Sequence, residues 1–186
     1  MINFDELHTL TEALLKVEDT EGVIKAVRNL LKGAYEQAVL EMEDEFDFLF
    51  LYEPDMEKAL NLEIEGKSWE TRIRDHIEAS DLANGGDNPP VGEVTRVVDT
   101  EFHRMYNTGA YDSAKALESK GKTVMKRWVT MEDNRVRDTH QYISGESVPL
   151  DEEFYTFDGD SALYPGGFTK AQNNCGCRCS LSYEVV

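Results

Sequence analysis

The spacing of apolar residues changes once along this chain, at Glu118–Gly121, and this change constrains the fold most. Before it, apolar residues recur every three or four positions, which is the period of an amphipathic α-helix. After it, short runs rich in β-branched and aromatic residues alternate with Gly, Asp, Asn and Pro, which is typical of short strands joined by loops. The sequence therefore predicts an α+β protein: a helical N-terminal region, then a compact domain made of a long helix and a small, mostly antiparallel sheet.

Two helices are predicted at the start of the chain. The first spans residues 4–17, where Asn3 and Glu6 have the spacing of a capping box, and the second spans residues 22–42. Their apolar faces favour an antiparallel helix pair. Residues 46–52 follow as a dense aromatic run, which is either a buried segment packed against the pair or an exposed docking patch.

Two further helices lead to the predicted sheet. The third is expected to begin after an N-cap at Ser68 and to stop near Leu82, before a loop or hinge rich in Gly, Asn and Pro. The fourth spans residues 92–117, and a bend is expected at Gly109. Residues 123–130 are then predicted to form the first strand.

The charge balance excludes some partners and divides the chain. It carries 37 acidic and 19 basic residues, a net charge of -18, whereas free-standing binding to nucleic-acid phosphates needs clustered Lys and Arg. Protein partners are therefore expected. Residues 1–66 have a net charge of -12 and residues 67–186 one of -6, so the charge divides the chain into two regions. With the helices and the loop, three segments are predicted: an acidic helical docking region at 1–66, a helix and hinge loop at 67–91, and a second domain at 92–186.

The sequence also limits where the protein is expected to work. No run approaches the roughly 18 apolar residues of a membrane helix, and the first residues lack the basic start and apolar stretch of a secretion signal. All three cysteines lie within five positions, so no distant cysteine is available for a disulfide framework. A protein made in the cytoplasm, in a reducing compartment and away from membranes, is expected.

Polar side chains cluster where the first predicted strand ends. Asp133, Arg137 and His140 form a candidate catalytic set, because His titrates near neutrality and Arg binds phosphate in a fork. Arg135 lies within the same cluster. The structural alternative is that Asp133 caps a turn, the arginines pair with acids such as Asp138, and His140 packs in the core.

A second cluster lies near the end of the sequence. If this segment is an extended strand, alternate side chains share one face, which aligns Cys175, Cys177 and Cys179. With His140 as the natural fourth ligand and His103 as the second choice, these thiols form a candidate structural zinc site. Two alternatives stay open: a nucleophilic cysteine activated by His140 and the adjacent Arg178, or small buried residues in a closing strand.

The order of these motifs resembles that of the phage Mu F-like minor head protein family. The matching residues run from Thr100-Glu101 in the long helix through Trp128, Asp133-x-Arg135-Val136-Arg137-x-x-His140, Gly145, Phe154 and Pro165-Gly166 to Cys177-Arg178-Cys179. The resemblance covers about residues 92–183, and residues 1–82 look like the helical region that often precedes the shared domain. Gly167-Phe168 and Asn174-Cys175-Gly176 depart from the pattern, so Cys175 has no role implied by the family.

The resemblance implies a minor capsid protein rather than an established enzyme. Such a protein is expected to be assembled in the host cytoplasm and carried inside the virion head near the portal. Its expected partners are the phage portal and capsid proteins, with contact to packaged DNA indirect. The alternative is a phage-encoded nuclease-like or peptidase-like enzyme that uses Asp133, Arg137 and His140.

Overall fold

The computed structural model describes residues 4–16, 19–47, 55–84 and 89–186. Helices come first, in the order α1 (Phe4–Lys16), α2 (Thr20–Glu45), α3 (Met56–Leu60), α4 (Trp69–Asn84) and α5 (Val91–Ser119). The remaining elements are β1 (Val124–Val129), α6 (Asp138–Tyr142), β2 (Ser147–Pro149), β3 (Phe154–Tyr155), β4 (Ser161–Ala162), α7 (Ala171–Asn174) and β5 (Ser180–Val185). The predicted α+β class is confirmed. Within the described ranges, no helix is long and apolar enough to cross a membrane.

The predicted helices and first strand are present, with small shifts at their ends. The Ser68 hydroxyl accepts a hydrogen bond from the Thr71 N–H at 3.2 Å, so the predicted cap of α4 is confirmed. This helix runs to Asn84, slightly past the predicted end. α2 begins in the same way, because the Asp19 carboxylate accepts the Gly22 N–H at 2.8 Å.

Three predictions fall wholly or partly outside the described residues. They concern Asn3 of the capping box, residues 48–52 of the aromatic run, and residues 85–88 of the loop before α5. The first residue of the aromatic run, Phe46, is half-buried against the core beneath α5. The choice between a buried segment and a docking patch for the rest of the run stays a prediction.

The main packing partner of α2 is α5 rather than α1. The two helices approach closely at Gly109, where an added Cβ would lie 2.5 Å from the backbone oxygen of Tyr35 and 3.2 Å from the Cβ of Ala38. α5 runs through Gly109 as one uninterrupted helix. The glycine at this position is therefore explained by the close approach, since any side chain would push the helices apart.

One hydrophobic core is shared by all five leading helices. Each of these helices contributes buried side chains to it, among them Leu15, Leu31, Leu60, Trp69, Val98 and Met105. The core therefore crosses the predicted region boundaries after residues 66 and 91. The helices of residues 1–66 pack directly on the long helix that opens the region expected at 92–186.

A buried ion cluster fastens α4 to α5. The Glu101 carboxylate accepts hydrogen bonds from Arg104 Nε at 2.7 Å and from Arg72 at 2.5 Å. Arg104 also donates to the backbone oxygen of Ala59 at 2.8 Å, which brings α3 to the same point. Glu101 and Arg104 are almost fully buried, so each charge depends on the other for its stability.

The strands form two small antiparallel sheets, as predicted. β1 is the centre of a three-stranded sheet in the order β2-β1-β5, and β3 pairs with β4. Along β1 the buried side chains alternate with more exposed ones, so Val124, Lys126 and Trp128 all point inward. Trp128 thereby reaches the small core under the sheet, where the candidate site lies.

Candidate functional site

His140 lies at the centre of the candidate site, on the short helix α6. Its side chain is buried, with 1% of the residue exposed. The ring stacks on Phe168 with centroids 5.2 Å apart, and the edge of Trp128 contacts it at a centroid distance of 5.4 Å. These two rings fix the orientation of the imidazole. Its Nε2 atom is buried without a hydrogen-bond partner among the described residues.

Two of the three cysteines converge on the other nitrogen of this ring. Nδ1 of His140 lies 3.6 Å from Sγ of Cys177 and 3.3 Å from Sγ of Cys179. Both cysteines are buried, and the three ligand-type atoms all lie within 4.8 Å of one another. The backbone N–H of Cys179 also donates to the Cys177 sulfur at 3.4 Å, which holds the two residues in a tight turn.

The two thiols have unequal acidities. The hydrogen bond from Cys177, together with His140, holds the pKa of the Cys179 thiol well below its ordinary value, although burial opposes this shift. The same hydrogen bond, together with burial, raises the pKa of Cys177. Cys179 is therefore the thiol that gives up its proton first, and Cys177 stabilises the resulting thiolate.

The third cysteine does not join this cluster, so the expected alignment of three thiols is wrong. Cys175 is exposed and forms the C-cap of α7. Gly176 follows with a φ of 65°, a left-handed conformation that turns the chain, and β5 begins only at Ser180. Because the segment is a helix end and a turn rather than an extended strand, alternate residues do not share one face.

His103, the second choice for a fourth ligand, has a different contact. Its Nε2 atom is hydrogen bonded to the backbone oxygen of Cys179 at 2.5 Å. Burial lowers the pKa of this imidazole. A neutral His103 donating to that carbonyl positions the start of β5 against α5.

The polar cluster after β1 matches the structural alternative in part. The Asp133 carboxylate accepts the Arg135 N–H at 3.0 Å, so it caps a turn. It also accepts two hydrogen bonds from Arg178, at 2.6 and 2.8 Å, and these hold the pKa of Asp133 at about 2. Arg137 donates to the backbone oxygens of Gln172 and Cys175, at 2.5 and 2.6 Å, rather than to a nearby acid.

The candidate catalytic residues do not share one cleft. Arg137 and His140 both line a cavity of about 10 Å³, whereas Asp133 does not line it and accepts a hydrogen bond from Arg178, which does. A cavity of that size holds about one water molecule and no nucleotide or peptide. Its lining residues are Met131, Arg135, Val136, Arg137, His140, Gly176, Cys177, Arg178 and Cys179.

Sequence reasoning missed the polar network that holds the cysteine segment in place. The buried Asn174 amide accepts the Phe168 N–H at 3.1 Å and donates to the Phe168 oxygen at 2.6 Å. The Asp160 carboxylate accepts the backbone N–H groups of Thr169 and Lys170, each at 3.1 Å, and the Asn173 amide at 2.9 Å. In the sequence, the only signal was that these residues are typical of turns.

Part of this chain, including the candidate site, is similar in sequence to known proteins. The model of the family described as Phage Mu protein F like protein matches residues 54–182, which is more than half of the chain. The chain belongs to this family. The match begins upstream of the region that the motifs indicated, and it takes in α3 and α4 as well as the candidate site.

Two curated relatives match part of the chain. Minor head protein GP7 of Bacillus phage SPP1 is 33% identical over 86 residues, which are 46% of this chain and 28% of that protein. The NAD(+)--arginine ADP-ribosyltransferase EFV of Enterococcus faecalis is 36% identical over 97 residues, which are 50% of this chain and 19% of that protein. The chain thus spans under a third of the length of either relative. No solved structure matches it.

Proposed function

We propose that this chain is a structural minor head protein that acts by binding the portal or capsid proteins of a phage, inside the head near the portal. The family match carries the proposal, because the chain belongs to that family and one relative that it matches is named as a minor head protein. The transferase activity belongs to the relative named for it, which this chain matches over only 19% of that protein. A binding role also fits a candidate site whose cavity admits one water molecule.

The C-terminal half of α2 supplies the binding surface in this proposal. Glu36, Leu40 and Asp44 follow one another at four-residue spacing, so they lie on one face of the helix, and all three are exposed. Glu41 and Glu45 are exposed beside them. We call these five residues the acidic face of α2. Leu40, with 64% of its surface exposed, supplies an apolar contact at the centre of this face in the proposed complex.

The charge of this face indicates the chemistry of the partner. α2 ends in Glu41-Met42-Glu43-Asp44-Glu45, and the C-terminal end of a helix already carries partial negative charge. Acids at that end repel the helix dipole and one another, so the unbound chain is destabilised there. A basic surface on the portal or capsid protein would remove this cost on binding, and it would also attract the chain over a distance.

The proposed location follows from the same charge. Assembly in the host cytoplasm brings the chain to its protein partners before DNA enters the head. A net charge of -18 then keeps contact with packaged DNA indirect, through those partners.

A pull-down of the portal protein from the same phage genome tests the proposal. The variant Glu36→Gln/Asp44→Asn/Glu45→Gln removes three charges from the acidic face, and we expect about tenfold weaker capture at low salt. The matched control, Glu146→Gln/Glu152→Gln/Glu184→Gln, removes three exposed charges elsewhere and should leave capture unchanged. Deleting residues 1–66 is unsuitable, because α1, α2 and α3 supply part of the shared core.

The outcome separates specific docking from general charge attraction. Equal losses in both variants would show that net charge alone drives capture. Full capture by the acidic-face variant would place the docking surface elsewhere on the chain and overturn this part of the proposal. Failure of the unmodified chain to capture portal or capsid protein would overturn the binding role itself.

A further inference from the structure

We propose that His140, Cys177 and Cys179 bind one zinc ion, with a solvent molecule as its fourth ligand. The proposal concerns the candidate site alone, so it holds whether or not the acidic face of α2 binds the portal. It assigns Cys175 and His103 no part in the site. The three ligands come from α6 and from the turn before β5.

The distances within the cluster match the edges of a zinc tetrahedron. Zn–S bonds of about 2.3 Å and Zn–N bonds of about 2.0 to 2.1 Å place the nitrogen and each sulfur about 3.5 Å apart. The observed Nδ1 distances are 3.6 Å to Cys177 and 3.3 Å to Cys179. These two distances therefore match a zinc tetrahedron to within a few tenths of an ångström. The two sulfurs lie within 4.8 Å of each other, against about 3.8 Å in such a tetrahedron.

Hydrogen bonding alone accounts for this arrangement poorly. Nδ1 of a histidine has one hydrogen or one lone pair, directed in the plane of the ring, so it serves one partner well. Here two sulfurs converge on that atom from Cys177 and Cys179. Convergence of two sulfurs and one nitrogen on a common point is the arrangement that a shared cation requires.

The charges of the occupied site would balance. Two thiolates and one neutral imidazole around Zn²⁺ give a net charge of zero, which suits a cluster in which all three residues are buried. Two of the three arginines that line the adjoining cavity are engaged through their guanidinium groups, Arg137 with two backbone oxygens and Arg178 with Asp133.

The size of the adjoining cavity decides the fourth ligand. At about 10 Å³ it has room for one water molecule beside the two sulfurs. The rings of Trp128 and Phe168 hold the imidazole in place, so Nδ1 stays directed at the sulfurs. Zinc with a solvent ligand is typical of catalytic sites, but this cavity leaves no room for a substrate beside the ion. An ion bound there would join α6 to the turn before β5, so the role we assign to it is structural.

Thiol counting on the purified full-length chain tests the proposal without any variant. The chain has three cysteines, of which Cys175 is exposed. With zinc bound, we expect one thiol to react quickly with an aromatic disulfide reagent, and all three to react after a strong chelator is added. Elemental analysis should find about one zinc per chain, and the chelator should lower the melting temperature.

Serine variants sharpen the assignment. Cys175→Ser is the matched control: it should keep the zinc and lose only the fast-reacting thiol. Cys177→Ser and Cys179→Ser should each lose stoichiometric zinc. Replacing zinc by cobalt should give thiolate-to-metal charge-transfer absorption in the unmodified chain and in Cys175→Ser.

Three results would overturn the proposal. One is a chain that takes up no stoichiometric zinc when zinc is supplied and whose thiols react equally with and without chelator. Another is loss of zinc in Cys175→Ser to the same extent as in Cys179→Ser. The third is a single reactive thiol after full denaturation without reductant, which would show a Cys177–Cys179 disulfide instead of a metal site. If the serine variants fail to fold, the thiol count on the unmodified chain still decides.

Discussion

The leading helices and the C-terminal third of this chain are held together by different interactions. The core shared by α1 to α5 is mainly apolar, with the ion cluster around Glu101 as its main buried charge. In the C-terminal third, β2, β3 and β4 have only two or three residues each, and many buried residues are polar: Lys126, Thr130, His140, Thr156, Asp160, Asn173 and Asn174. A core of apolar side chains tolerates changes in side-chain shape, whereas each buried polar group needs a particular hydrogen-bond partner. The C-terminal third should therefore be the more sensitive to single substitutions.

Among the substitutions considered, the largest loss of folding stability is expected at Trp128, in the C-terminal third. Its side chain is fully buried and contacts His140, Phe154 and Phe168. Trp128→Ala should lower the free energy of unfolding by about 4 kcal/mol, because the cavity would be large. The neighbouring Val129 is 38% exposed, so Val129→Ala serves as a control with a much smaller loss. Urea denaturation of both variants measures the difference, and similar losses would contradict this account of the site.

A loss of about 3 kcal/mol is expected from Glu101→Gln in the helical region. The substitution leaves Arg104 buried without its counter-charge, and it also weakens the bond to Arg72. Glu93 lies exposed on the same helix, and Glu93→Gln should cost only a few tenths of a kcal/mol. Chemical denaturation checks both values. A stable Glu101→Gln variant would show that the apolar core alone fixes α4 on α5.

Two glycine substitutions should have opposite signs. Gly109→Ala places a Cβ 2.5 Å from the Tyr35 oxygen, so it should destabilise the α2–α5 contact by about 1 to 2 kcal/mol. Gly33 lies within α2 with no atom near an added Cβ, so Gly33→Ala should stabilise the chain by about 0.5 to 1 kcal/mol. Melting temperatures of the two variants measure both effects. If both variants had a higher melting temperature, α2 and α5 could separate slightly without a loss of stability.

A further effect is a dependence on pH that originates at Lys126. Burial lowers the pKa of Lys126 from 10.5 to about 8, while its ammonium donates to the Leu163 oxygen at 2.8 Å and faces the rings of Tyr111 and Phe154. Between these pH values the unfolded chain binds more protons than the folded chain, so stability should rise as pH rises from about 8 to 10.5.

The variant Lys126→Met removes the titrating ammonium group, so it tests whether Lys126 causes this pH dependence. The difference in unfolding free energy between the original chain and the variant should change over this pH window, while other titrating groups cancel in the difference. A difference that stays constant with pH would show that Lys126 titrates normally.

The sequence predicted the elements well because their signals are local. Helical spacing located α2, α4 and α5, and the Ser68 cap marked the start of α4. The partner of α2 could not be predicted in the same way, since apolar spacing shows which face is buried but not which helix covers it. Gly109 marks the point where α5 packs closely on α2, but from the sequence alone a glycine within a helix is equally consistent with a bend.

The candidate site was predicted in part for a similar reason. The motif spacing brought His140, Cys177 and Cys179 together as candidates, and the structure places them in one cluster. Cys175 was included because alternation assumed a strand, whereas Gly176 adopts a left-handed turn that only its φ reveals. The rings of Trp128 and Phe168 approach His140 from distant parts of the chain, which no local pattern encodes.

The pairing of α2 with α5 also has a consequence for synthesis on the ribosome. Tyr35 bonds to Asp112, 77 residues later, so α2 is complete long before its main partner exists. At about 5 to 20 residues per second, its apolar face waits roughly 4 to 15 seconds for α5. The acidic excess of residues 1–66 should matter during that interval, because we expect self-repulsion to keep nascent chains apart.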